Sequence, residues 1–329
     1  MSENPLWLVS FLISTSLSFF SVALVVEISM ALFRIRKPRT RSILRLFPML
    51  NLFLDFFFSK LSTGNLLNPL HCESCIQKLL LSFTPELKQY LADHQIAWSK
   101  HLASQIPGLN LFLVVFCSIS LVCLFRKTIQ IALCSQKLTT LIKHSKPCTR
   151  SIETQSLQAA LQHEKVKLLM SDAIQSPMAV YLRTILLPQH LLALPQEEFE
   201  AILAHELEHL RWKDPLTKFC CQIGSALVWW VPTQWWLKRI DQDQELAADT
   251  GAKRHQLNSD ALAAALVKTV GNRYAPPTPL CEFAGKNCSL FLRLQMMIDP
   301  AAIPLQKTPW WRVGVVLAAG SLITLSCLM

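Results

Sequence analysis

Long apolar runs alternate with short basic ones along this chain. The first, Pro5 to Phe33, is long enough to cross a bilayer, which takes about 20 residues. RIRKPRTRSILR follows it, with six basic residues and no acidic one. The basic cluster follows the run, and no small-residue cleavage site is visible. The run therefore predicts a permanent anchor rather than a signal peptide. A second run, Ile43 to Phe58, spans only if extended past Lys60 to about residue 62. A third, Pro107 to Phe125, opens with a proline suited to a helix's first turn and ends at Arg126 and Lys127. The fourth, Trp310 to Met329, carries paired tryptophans and Arg312, side chains suited to an interface.

The basic residues at the ends of these runs set an orientation. Segments 34–45 and 126–150 are expected in the cytoplasm, and the charge-balanced loop 61–106 and the amino terminus outside. The expected organisation is a membrane domain, 1–125, with transmembrane segments near 5–33, 43–62 and 107–125. A cytoplasmic domain, 126–309, and a C-terminal transmembrane helix, 310–329, complete it.

Within 126–309 the spacing shortens. Val166–Met170 and Met178–Leu187 read as strands, the second broken near Arg183. Pro195 begins a helix with Glu197 and Glu198 in its first turn, favourable at the positive end of the dipole. Phe199, Ile202, Leu203 and Leu210 recur at helical spacing, and Asp214–Pro215 ends the helix. Further helices are expected over Asp241–Lys253 and Ser259–Val270, with a Pro-containing loop over 272–288.

Composition agrees with this picture. Hydrophobic residues make up 51% of the 329 and charged residues 16%, and there are only 8 glycines, so a mainly α polytopic membrane protein is expected. A net charge of +10 would suggest nucleic acid in a soluble protein. Here the charge sits at the ends of apolar runs, so the bilayer is the expected partner and nucleic acid is not. The 11 cysteines show no even framework, and most read as small hydrophobes.

The chemistry is concentrated in HELEH, residues 205–209. On a helix His205 and His209 fall about 40° from alignment, so both imidazoles leave one face. That is the geometry of two zinc ligands. Glu206 lies beside them, where a carboxylate takes a proton from a water that zinc has made acidic, with pKa about 7. A catalytic site needs a third protein ligand, and Glu245 in QELAADTGA is the best candidate. Asp249, four residues on, is placed to hold the outer N–H of a ligating histidine. The bland alternative is a set of polar residues that cap a surface helix and bind nothing.

HELEHLRWKDP, with SPMAVYLRTILLPQHL upstream and QELAADTGA downstream, resembles the membrane-embedded metallopeptidases of the BlaR/MecR antirepressor type. These are gluzincins, in which a downstream glutamate completes HExxH. The resemblance covers roughly residues 1–300 and is most specific over 176–255. It implies Zn2+ as cofactor, with His205, His209 and Glu245 as ligands, Glu206 as general base and Asp249 as supporting acid. It also implies an α+β gluzincin domain with a small sheet. Ser176 to Ala179 matches the family's SP-x-A edge strand, which pairs with the substrate backbone. BlaR and MecR carry a penicillin-binding sensor beyond the last span. No SxxK nucleophile occurs here and the sequence stops at Met329, so no β-lactam partner is expected. Housekeeping membrane proteases of the HtpX type share HExxH and ExxxD and are the nearest alternative family.

Weaker signals remain. Arg293 is a candidate stabiliser of the transition-state oxyanion, weighed against an ordinary helix-surface arginine. His255 reads as a helix-end residue, Glu27 as a satisfied edge residue, and Asp55 as a membrane acid or a wetted one. Cys72 and Cys75, beside His71, read as a disulfide or idle thiols more than as a metal or redox site. Cys281 and Cys288 are expected to be free.

Phe219–Leu237 is apolar enough to read as a span, yet it lies between His209 and Glu245. A single crossing would put those residues about 30 Å apart. If both bind one metal, the segment re-enters or lies along the interface. Pro232, Gln222, Gln234 and four tryptophans suit that reading. The expected function is a zinc endopeptidase of a bacterial inner membrane, acting in signal transduction. Its substrate is expected to be a protein or peptide: a cytoplasmic regulator, a membrane protein or the chain itself. Homo-oligomerisation is left open. The rival from another class is a non-catalytic receptor with a structural zinc, which would not need Glu206.

Overall fold

A computed structural model describes residues 6–61, 109–180, 183–255, 259–271, 293–294, 297 and 314–316. The protein is mainly helical, with one small mixed sheet. The described elements begin with α1 (Leu6–Leu32), α2 (Pro38–Leu44), α3 (Leu46–Leu61) and α4 (Leu109–His144). Then come β1 (Lys146–Pro147), α5 (Gln155–His163), β2 (Lys167–Ser171), β3 (Met178–Val180) and β4 (Thr184–Pro188). Four helices complete the series: α6 (Gln196–Arg211), α7 (Asp214–Leu227), α8 (Gln234–Ala252) and α9 (Ser259–Gly271). The Cys72–Cys75 region, the loop at 272–288 with its two cysteines, and most of 310–329 lie outside the described residues.

The sheet order is β1-β2-β4-β3. β2 and β4 run parallel, while β1 and β3 pair antiparallel at the two edges. All five residues of β4 are buried, as a central strand covered on both faces requires. Its alternation divides two cores. Ile185 and Leu187 pack with Leu157, Phe199, Ile202, Leu203 and Leu262, whereas Leu186 packs with Ile174, Val180, Leu138 and Leu141. The break expected near Arg183 falls between β3 and β4, where Arg183 takes φ 56°.

Two boundaries differ from the sequence reading. The third apolar run ends at Phe125, but α4, 36 residues long, continues to His144. Leu138, Leu141 and Ile142 near its end cover the sheet face of Leu186, and that burial extends the helix past Arg126 and Lys127. The helix expected from Asp241 begins at Gln234. Pro232 precedes it, and Trp236, Leu237 and Ile240 give its first turns a buried face.

That face joins a third core. Phe19 and Ala23 of α1, Met49 and Leu52 of α3, Cys221 of α7 and Trp236 of α8 pack together. Trp236 is fully buried, and its indole N–H donates to the Arg45 carbonyl at 2.7 Å. The amino-terminal helices therefore pack directly on α7 and α8. Gly224 of α7 allows part of this approach, since a Cβ there would meet the Phe53 ring at 2.5 Å.

Candidate metal centre

α6 is buried along most of its length, from Glu198 to His209. Phe199, Ile202 and Leu203 face the sheet core. The apolar stripe holds the helix in one rotation, and that rotation presents His205 and His209 to α8. Their Nε2 atoms lie 3.2 Å apart, with ring centroids 4.8 Å apart and planes at 85°.

α8 brings Glu245 to the same point. Its Oε2 is 3.5 Å from His205 Nε2 and its Oε1 is 3.7 Å from His209 Nε2. Gly251 lets the two helices meet, because a Cβ there would collide with the Glu208 carboxylate of α6. Ligand atoms about 2.0–2.2 Å from a tetrahedral zinc stand about 3.3–3.6 Å from one another. With one ligand atom taken from each residue, the three lie within 4.8 Å of one another, close to that spacing, and the two-nitrogen, one-oxygen donor set suits the ion.

The outer nitrogen of each histidine faces its own carboxylate. Asp214 Oδ2 is hydrogen-bonded to His209 Nδ1 at 2.9 Å, and Asp249 Oδ1 lies at ion-pair distance from His205 Nδ1, 2.8 Å, outside hydrogen-bond angles. A proton held on Nδ1 leaves Nε2 free to ligate. Each carboxylate in turn meets an arginine fork. Arg293 donates to Asp249 at 2.7 and 2.6 Å, and Arg39 donates to Asp214 at 2.6 and 3.2 Å. Arg293 also reaches Glu245 at 3.1 Å, and Lys218 reaches it at 3.7 Å.

These charges set the protonation of the metal-free site. Burial opposes charge on His205, but Asp249 and Glu245 outweigh it and raise its pKa to about 10. Burial also opposes charge on Glu245, yet His209, His205, Arg293 and Lys218 hold it well below the usual carboxylate range. For Asp249, Arg293 and His205 overcome the same burial and lower its pKa.

The structure brings His205, His209, Glu245, Asp249 and Arg293 together. Glu206, next to His205 on α6, is 7% exposed. Among the described residues no ion pair or hydrogen bond engages its carboxylate. Arg293 is turned to Asp249 and Glu245. His255 is buried at the end of the turn that follows α8 and accepts at its carbonyl from Ser156 Oγ at 3.2 Å.

Asp214 and Arg39 escaped the sequence reading. The sequence reading makes Asp214–Pro215 the end of the histidine helix, whereas α6 ends at Arg211 and Asp214 opens α7, five residues beyond His209. Lys213, at φ 56°, closes α6 with a left-handed residue and turns the chain back, so that Asp214 comes under His209. The signal available was the short spacing itself. Arg39 was read only as a topology charge, and 175 residues separate it from Asp214.

Comparison with known proteins fits this geometry. The family model described as BlaR1 peptidase M56 matches residues 10–297. A search of curated proteins gives no match. The match runs through α1, the sheet, the histidine helix and α8, and so extends far beyond one short motif. The chain belongs to the BlaR1-type peptidase family M56.

Proposed function

We propose that this chain is a multi-pass zinc endopeptidase of a bacterial inner membrane, with its protease domain on the cytoplasmic side. Its substrate is a cytoplasmic regulator, a membrane protein or the chain itself, cut in response to a signal. The observation that carries this reading is the triangle of His205 Nε2, His209 Nε2 and Glu245, with a carboxylate behind each imidazole.

His205, His209 and Glu245 would hold the zinc, which supplies Lewis acidity and makes water acidic enough to ionise near neutral pH. Asp249 and Asp214 keep the ring protons on Nδ1, and so orient both imidazoles. Glu206 accepts the proton of the attacking water and returns it to the leaving amine nitrogen. Its carboxylate, engaged by no described partner, is available for that exchange. β3 is an edge strand packed beside α6, and its free edge suits a substrate strand added by β-pairing. Arg293 holds positive charge 3.1 Å from Glu245, near enough to favour an anionic transition state.

Membrane embedding rests on α4 and α1. Among the described residues, Val114–His144 is long and apolar enough to cross a bilayer, and its most apolar window is 0% buried. α1 exposes Phe20, Leu24, Ile28 and Leu32 along one stripe. The segment 219–237 supports a site on one side of the bilayer: α7 ends at Leu227, the chain reverses around Pro232, and α8 returns Glu245 to His209.

The test is Glu206→Gln in the full-length protein. Zinc content should stay at the wild-type level while peptide cleavage and self-cleavage are lost. Wild-type cleavage by Glu206→Gln would defeat the catalytic reading and favour a structural metal.

A further inference from the structure

α2 lies between the two amino-terminal helices, yet it reaches the metal centre. Its Arg39 side chain is 10% exposed and that of Asp214 is 3% exposed. The guanidinium lies 4.4 Å above the Trp212 ring, so both its plane and its position are fixed. Its two terminal nitrogens, Nη1 and Nη2, each donate to one oxygen of the Asp214 carboxylate, at 2.6 and 3.2 Å. A fork of this kind sets the rotation of a carboxylate as well as its charge. The oxygen that faces His209 is then held 2.9 Å from Nδ1.

We propose that Arg39 is a positioning residue for the metal centre, acting on His209 through Asp214. The inference rests on the zinc-site reading above. Without the fork, Asp214 is a buried anion with no hydrogen-bonded cation to orient it, since Lys218 acts on it only through space. Such a charge is strongly unfavourable when buried, and the carboxylate turns away or draws in water. His209 then loses the acceptor that keeps its proton on Nδ1 and its lone pair on Nε2. Lysine does not replace the fork, because an ammonium is a point charge that leaves the carboxylate free to rotate.

A second α2 arginine separates positioning from general attraction between helices. Arg41 pairs with Asp243 of α8 at 3.6 Å. Among the described residues, Asp243 bonds to Arg41 and Arg45 and to none of the three ligands.

The experiment measures zinc affinity of the full-length protein in detergent, by chelator competition. It also records the cobalt(II) absorption spectrum and the melting temperature of each metal-free variant. Arg39→Met and Asp214→Asn should each weaken zinc binding about 10–100-fold and alter the cobalt spectrum. The double variant should be little worse than the weaker-binding single one. Arg39→Lys should recover part of the affinity, and it carries the same prediction at smaller size if Arg39→Met does not fold. Arg41→Met should stay within about threefold of wild type, because Asp243 keeps its closer pair with Arg45 and touches none of the three ligands. Wild-type affinity in both Arg39 variants would overturn the proposal, as would an equal loss in Arg41→Met. Failure of the wild-type protein to bind zinc would instead remove the zinc-site reading, and this inference with it.

Discussion

Asp249 Oδ1 lies 2.8 Å from His205 Nδ1, on the far side of the ring from the nitrogen that faces His209. Asp249→Asn keeps the shape and removes the charge. The amide can present an N–H to Nδ1 and so favour the tautomer whose Nε2 is blocked. Zinc affinity should fall about 10–100-fold, with zinc still bound at saturating concentration. Unchanged affinity in a chelator competition would remove Asp249 from the site.

The pKa of His205 gives a pH dependence. Raised from 6.5 to about 10 in the metal-free fold, it contributes stability that is fully present below pH 6.5 and is lost as pH climbs towards 10. The melting temperature of the metal-free protein should therefore decline over that window. Zinc must displace the His205 proton, so its affinity should rise over the same range. At pH 7.5 at least one proton should be released per zinc bound, from His205 and in part from the metal-bound water, read by calorimetry in buffers of different ionisation enthalpy. A binding enthalpy independent of buffer would contradict the assignment.

At Gly251 α8 packs tightly on α6, against the nearly inaccessible Glu208 carboxylate. Gly251→Ala overfills that contact. The expected cost is about 1–3 kcal/mol of stability, with zinc bound more weakly because Glu245 is displaced from the histidines. A variant that melts like wild type and keeps its zinc affinity would show that the helices have room to spare.

Lys213 and Lys238 are exposed residues flanking the apolar stretch. The proposed membrane arrangement puts both on the cytoplasmic side. Cysteines at 213 and 238, in a background without native cysteines, should react only from that side. Labelling of the two from opposite faces would place 219–237 across the bilayer and break the three-ligand site.

Much of the centre was legible because its information is local. HELEH on an amphipathic helix puts two imidazoles on one face, and Glu245 and Asp249 repeat the four-residue spacing on the next ligand helix. Arg183 was readable as a break because the alternation stops there, and the backbone takes φ 56° at that residue. Less local features were harder to read. α4 outlasts its apolar run because the sheet, formed later in the chain, covers its far end. Arg39 looks like any charge flanking a membrane run until folding carries it to Asp214, 175 residues on. The sequence reading has Pro232 interrupt a re-entrant or interfacial apolar segment, and it stands just before α8.

The account turns on whether His205, His209 and Glu245 hold a metal. The direct measurement is zinc content of the purified full-length protein by elemental analysis, beside Glu206→Gln and His205→Ala. The prediction is about one zinc per chain in the wild type and in Glu206→Gln, and none in His205→Ala. A wild-type protein without zinc after loading, or a His205→Ala protein that retains it, would contradict the account.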